Sequence, residues 1–313
     1  MLSGSCLVRS RTFDVPHVSL TKPSLPFAFM PPGVRCFRWL VGVAVLVLAG
    51  CASAPPDDTA FRSLTRMLES QPIVLLGEVH DNVVQHALRA RSLRALVESG
   101  ARPALLMEQF DRERQVDLDR AMAQPGAMAD DVIAAAAPAD ALTQGWPWLL
   151  YKPYIALALE YRLLLVAANV SRDDSRRIAA DGLAAHGFEA RVPDDLAAGQ
   201  ARAIVEGHCG LVDAGQAGTL VAAQVARDQF MARAVEAHAA RGALLLAGNG
   251  HVRTDLGVPR WIAPATRART VSIGLLEAGR VPEALSPYDS VVVTPAQPRR
   301  DPCEGLTIPG VSG

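Results

Sequence analysis

Two apolar runs set the frame of this chain. Ile73–Leu76 runs into Gly77-Glu78-Val79-His80, and Ala243–Leu246 runs into Ala247-Gly248-Asn249-Gly250-His251. A short apolar run with no polar alternation reads as a strand buried on both faces, and such strands belong to parallel sheets covered by helices. Each of these two strands stops at a glycine and presents a histidine three residues later. Lying side by side, they aim two imidazoles and the Glu78 carboxylate into one crevice. Gly77 is expected to let the backbone turn sharply there, with Asp81 or Asn82 capping the next helix.

The pattern recurs. Residues 104–107 form an apolar run closing on Glu108, 163–168 one ending at Asn169, and 270–275 and 290–293 are later strand candidates. Amphipathic or helix-forming stretches lie between the strands, at 82–98, 112–122, 130–136, 195–206 and 217–240. This alternation predicts an α/β fold with a mostly parallel central sheet and helices on both faces. The length of 313 residues suits a single domain. Ligands of open α/β sheets bind outside the carboxyl ends of the strands. Here those ends carry Glu78 and His80, Glu108, Asn169 with Arg172, and His251. A carboxylate such as Glu108 is costly to bury unpaired, so Arg172 or a histidine is expected against it.

The N-terminal region reads as a targeting signal. Arg35 and Arg38 precede an apolar run at 39–48 that closes in Leu48-Ala49-Gly50-Cys51. A charged region, a short apolar core and small residues make a secretory signal, and the cysteine after Leu-Ala-Gly is a lipobox, making Cys51 the acylated mature N-terminus. The run is short for a membrane-spanning helix. Residues 1–50 are thus the signal peptide, with 1–29 untranslated if Met30 is the true start. Residues 51–71 are a lipidated tether and short helix, 72–294 the α/β domain, and 295–313 a flexible tail. Removing residues 1–50 takes away five cations (Arg9, Arg11, Lys22, Arg35, Arg38) against Asp14, so a net charge of -1 becomes -5. An acidic body of this kind is no nucleic-acid binder, and its membrane contact is expected from lipid chains. Ala52 at the position after the cysteine favours an outer-membrane anchor facing the periplasm. Cys209 and Cys303 remain in the mature chain; an oxidising periplasm allows them to pair, with buried free thiols as the alternative.

Residues 145–154, Gly-Trp-Pro-Trp-Leu-Leu-Tyr-Lys-Pro-Tyr, form the aromatic cluster of the chain. They read either as a surface loop pinned by aromatic packing or as a flat apolar wall carrying a phenol. Tyrosine is an accepted axial ligand of haem iron. Met107 reads as core, and His86 as a neighbour of the site or a surface residue. His208-Cys209 has no partner at ligand spacing, and Arg227-Asp228 is either a surface accident or an interior ion pair. No Gly-x-Ser-x-Gly elbow, Walker loop or His-Glu-x-x-His motif is present.

Six segments, in order, resemble one known family: Leu75-Leu76-Gly77-Glu78-Val79-His80-Asp81-Asn82, Met107-Glu108-Gln109-Phe110, Trp148-Leu149-Leu150-Tyr151-Lys152-Pro153, Ala167-Ala168-Asn169, Arg227-Asp228-Gln229-Phe230-Met231-Ala232 and Ala247-Gly248-Asn249-Gly250-His251-Val252. They are similar to the ChaN-like haem-binding lipoproteins, grouped with Tiki, TraB and erythromycin esterase proteins, over about 72–263. The resemblance implies haem as cofactor and a role in haem or iron uptake at the envelope. It implies Tyr151 as the iron ligand with Tyr154 as a fallback. His80, His251 and Arg172 would contact the propionates or the distal face, Glu78 would line the site, and Glu108 would fix a neighbour. A homodimer stays an open option. The wider group also contains metal-dependent hydrolases sharing the paired Gly-x-x-His, so an esterase or protease acting through His80 and His251 is the alternative.

Overall fold

The strands are apolar on both faces because helices cover both. The computed structural model describes residues 58–137, 145–279, 287–300 and 303–304. The chain divides into a unit Met1–Cys51 and a unit Ala52–Gly313. The signal region, Cys51 and the tether to residue 57 lie outside the described residues, so the fold belongs to the second unit. No helix among the described residues is long and apolar enough to cross a membrane.

In chain order the elements are α1 (Asp58–Glu69), β1 (Ile73–Leu76), α2 (Val83–Glu98), β2 (Ala104–Asp111), α3 (Gln115–Met122), α4 (Ala129–Ala136), α5 (Trp148–Tyr161), β3 (Leu165–Asn169), α6 (Arg172–Asp181), α7 (Asp194–Gly207), α8 (Ala214–His238), β4 (Ala243–Leu246), α9 (Asn249–Val252), α10 (Pro264–Arg267), β5 (Thr270–Glu277) and β6 (Ser290–Thr294). The six strands form one sheet in the order β3-β2-β4-β1-β5-β6, and every pairing is parallel. This is the α/β class expected from the alternation of strand and helix.

Strand side chains alternate between two cores. Val74, Leu76, Leu105, Met107 and Leu246 pack with α1, α2 and α5. Ile73, Leu75, Leu106 and Leu245 pack with Met231, Ala232 and Val235 of α8. Met107 is core, as expected. A third cluster, including Ile178, Leu196 and Val225, joins α6, α7 and α8.

Three local features differ from the sequence reading. β2 runs on to Asp111, and between Met107 and Asp111 it bulges against β3, four steps on one strand matching two on the other. Bulges re-aim side chains, and Glu108 sits in this one. The aromatic cluster is neither loop nor open wall from Trp148 on: it enters α5, because Tyr151, Tyr154, Ile155 and Ala158 fall at helical spacing and all are buried. The stretch from Pro295 is tied down over its described residues. Arg299 holds Asp81 and Glu277 at 2.6–2.8 Å, and Cys303 is joined to Cys209 by a disulfide.

Candidate functional site

β1 and β4 are neighbours, yet the chain leaves them in opposite directions. From β1 it passes to β2 beyond β4, and from β4 to β5 beyond β1. Such a reversal opens a crevice at the carboxyl ends of the strands, and both Gly-x-x-His segments meet in it. A β-carbon on Gly77 would collide with Asn249 Oδ1 and stand 2.9 Å from Val252 Cγ2. One on Gly248 would stand 2.9 Å from Cε1 and Nε2 of His80. Each glycine therefore makes room for the other motif. Asn249 uses the room: its amide donates to Leu275 O at 2.6 Å and its oxygen accepts from Leu275 N–H at 3.1 Å, tying the exit of β4 to β5 over the end of β1. Neither glycine has a positive φ. Close approach, rather than the sharp turn expected, is why glycine stands there. Asn82, not Asp81, caps α2, accepting from Val84 N–H and Gln85 N–H at 3.0 Å each.

Glu78 is the hub of the first buried group. Its carboxylate accepts a hydrogen bond from Tyr151 Oη, pairs with the guanidinium of Arg89 and meets His80 Nδ1 at 2.8 Å. Arg89 on α2 is fully buried and also donates to Leu76 O. His86, from the same helix, places Nε2 2.9 Å from His80 O and Nδ1 3.1 Å from Tyr154 Oη. Burial lowers the His86 imidazole below its ordinary value. The ring is neutral at pH 7, so Nε2 donates to the His80 carbonyl, while Tyr154 Oη donates to His86 O at 3.1 Å. Burial pushes the Tyr151 and Tyr154 phenols up, and both remain hydroxyls. Aromatic edges close the group: His80 on Trp146 at 4.7 Å, Trp146 on Tyr151 at 5.8 Å and His86 on Tyr151 at 4.8 Å between centroids. The His80 side chain, 43% exposed, is the group's face to solvent.

The second group adjoins it through Gly248, whose N–H donates to Glu108 Oε2 at 2.7 Å. His251 lies between two carboxylates, with Nδ1 2.6 Å from Asp228 Oδ1 and Nε2 3.4 Å from Glu108 Oε1. All three are buried. Burial alone would neutralise His251, but Glu108 and Asp228 override it and lift the imidazole to about 10. Burial would raise Glu108, yet the His251 charge holds it at about 2. At Asp228 burial prevails and the carboxyl is pushed up. The arrangement is a charged imidazolium fixed between acidic oxygens.

The structure thus brings Glu78, His80, Tyr151 and Tyr154 into one group and Glu108 with His251 into its neighbour. Of the two partners expected for Glu108, the histidine meets it. Arg172 stands exposed at the start of α6, lining a cleft with Gln224 and Arg227. Arg227-Asp228 resolves through Asp228 alone, which is fully buried against His251. Sequence reasoning missed Arg89. Its signal was present: Gln85, Arg89, Ser92 and Leu96 recur at helical spacing, and all four are buried. Among the described residues no three His, Cys, Asp or Glu side chains are grouped to hold a metal ion.

A family model described as haem-binding uptake, Tiki superfamily, ChaN, matches residues 64–262. The chain belongs to this family. The match runs from α1 through both Gly-x-x-His segments and so spans the two buried groups. No curated protein matches the chain. Among solved structures, ChaN of Campylobacter jejuni, described with cofacial haem binding, is 22% identical, with a TM-score of 0.60 over 74% of this chain and 90% of that one. That likeness shows a shared ChaN fold. The type III effector HopBA1 is 14% identical over 76% of this chain and 94% of its own, TM-score 0.47. The erythromycin esterase EreC is 17% identical over 78% and 81%, TM-score 0.43. At those scores neither adds to the argument.

Proposed function

We propose that this protein binds haem non-covalently at the rim of β1 and β4, with Tyr151 as the iron ligand, and serves haem or iron uptake at the cell envelope. Family membership supports the haem. The observation that carries the assignment to Tyr151 is its hydrogen bond to a buried carboxylate backed by a guanidinium. A tyrosinate ligand must give up a proton that burial otherwise retains. Glu78 is an acceptor already in contact, and the Arg89 charge favours the phenolate. Haem iron, when bound, would supply the Lewis acidity that favours a phenolate, with Tyr151 as its ligand and Glu78 as the proton acceptor. Trp146 and Trp148 pack edge-on against the phenol ring, giving the apolar lining that a planar ligand needs. Tyr151 itself is fully buried, so His80 and Trp146 turn aside for its oxygen to be reached. Tyr154, committed to His86, is the fallback.

The lipidated, periplasm-facing location is part of the same proposal. It rests on Leu48-Ala49-Gly50-Cys51 and Ala52 in the sequence, and the Cys209–Cys303 disulfide suits an oxidising compartment.

The test is a haem titration of the full chain in detergent. The expected result is a saturable Soret band with a five-coordinate ferric spectrum of the tyrosinate type, displaced in Tyr151→Phe and retained in Tyr154→Phe. An unchanged spectrum and affinity in Tyr151→Phe would remove this residue from the iron. Mass spectrometry of envelope-extracted protein should find acyl chains on Cys51.

A further inference from the structure

A cleft of about 290 Å³ opens between α6, the end of α7 and α8. Its polar wall is cationic: Arg172, Arg176 and Arg227 line it together with His208, and no Asp or Glu is among its described lining residues. Ile204 and Leu220 provide an apolar side. Arginines from two helices meet on one cleft with no carboxylate among its described lining residues, which points to an anionic ligand. Arg176 also pairs with Asp173 at 2.7 Å, but that contact is exposed on both sides and weak. On the inner side Gln224 lines the cleft, its amide 3.2 Å from His251 Nδ1, so the cleft abuts the Glu108–His251–Asp228 group.

We propose that this cleft binds the oxyanion headgroup of an amphipathic ligand, a carboxylate or phosphate carrying an aliphatic body. Guanidinium forks match planar carboxylate and phosphate oxygens. The volume is at the small end of ligand sites; it admits a small molecule or the edge of a larger one. The same chemistry therefore has two sources, a free small anion and a propionate edge of haem. The site stands whether or not Tyr151 ligates iron.

Calorimetric titration of the full chain with hexyl phosphate, hexanoate and inorganic phosphate tests it. Saturable binding of one molecule per chain is expected, the hexyl compounds binding more tightly than inorganic phosphate. Arg227→Gln and Arg176→Gln should each weaken binding by about tenfold, the loss of one charge-assisted hydrogen bond, while keeping the parent thermal transition. Displacement of hexyl phosphate by haem assigns the headgroup to a propionate, and simultaneous binding assigns it to a separate ligand. Absence of saturable binding by all three probes overturns the proposal, as does undiminished binding by folded Arg227→Gln and Arg176→Gln.

Discussion

His80 packs on Gly248 so closely that its Cε1 and Nε2 lie 2.9 Å from where a β-carbon would stand. The same glycine donates its N–H to Glu108 at 2.7 Å. One backbone position thus couples the Tyr151 group to the His251 group. In Gly248→Ala the added methyl must push the imidazole away or move the β4 exit. Overpacking of this kind costs about 1–3 kcal/mol. Urea denaturation should show that loss, and haem titration should show weakened binding. A parent-like midpoint and affinity would mean that His80 yields freely and does not order the site.

Arg89 is the buried counter-charge of Glu78, with neither side chain exposed. Removing one partner of such a pair strands the other, at about 3–5 kcal/mol, whereas replacing both is often close to neutral. Arg89→Met should therefore unfold far more readily than Glu78→Gln/Arg89→Met. The double-mutant cycle reads the difference directly. Additive losses would show that Glu78 is held by Tyr151 and His80 rather than by Arg89.

What could be read from residues alone, and what could not, follows from the range of each signal. Ile73–Leu76 and Ala243–Leu246 announced parallel strands because burial on both faces leaves no polar alternation, and the paired Gly-x-x-His marked where they meet. The helical spacing of Tyr151, Tyr154 and Ile155 is present in the sequence, but proline ordinarily interrupts a helix, and Pro153 sits in the second turn of α5. The sequence alone leaves Asp228 undecided because its burial depends on His251, 23 residues away. Arg89 carries no local mark, because a single arginine on an amphipathic helix ordinarily faces water. Arg299, outside any helix or strand, carries none either. Its partners Asp81 and Glu277 are 218 and 22 residues distant, and no local pattern encodes such pairings.

Stability should peak in mildly acidic solution and fall on both sides. His251 is raised from its ordinary 6.5 to about 10. Its contribution is fully present below pH 6.5 and is lost as pH climbs through 10. Glu108 is lowered from 4.5 to about 2; its contribution is present above pH 4.5 and is lost as pH falls towards 2. Asp228, pushed up by burial, works against the fold as pH rises above its ordinary 3.8, where the unfolded chain ionises first. Thermal melts across this range should trace a dome between the two limits. In His251→Gln the alkaline limb should flatten. A variant that keeps the full alkaline slope would place its origin in other groups.

The Cys209–Cys303 bridge closes a span of 94 residues, which makes its loss a test of how the C-terminal segment is held. Chain entropy assigns about 4.7 kcal/mol to a loop of roughly 100 residues, with measured values more often about 2–4. Arg299 keeps part of that segment in place through Asp81 and Glu277, so the native state survives reduction. Cys303→Ser is the better variant, because Cys209 holds a left-handed φ of 57° that other side chains also resist. Its urea midpoint should fall by the equivalent of about 2–4 kcal/mol, and dithiothreitol should lower the parent protein by the same amount. Dithiothreitol should leave the variant unmoved. Equal midpoints for oxidised parent and variant would mean that the two sulfurs are not joined in solution, and Arg299 alone would then secure the segment.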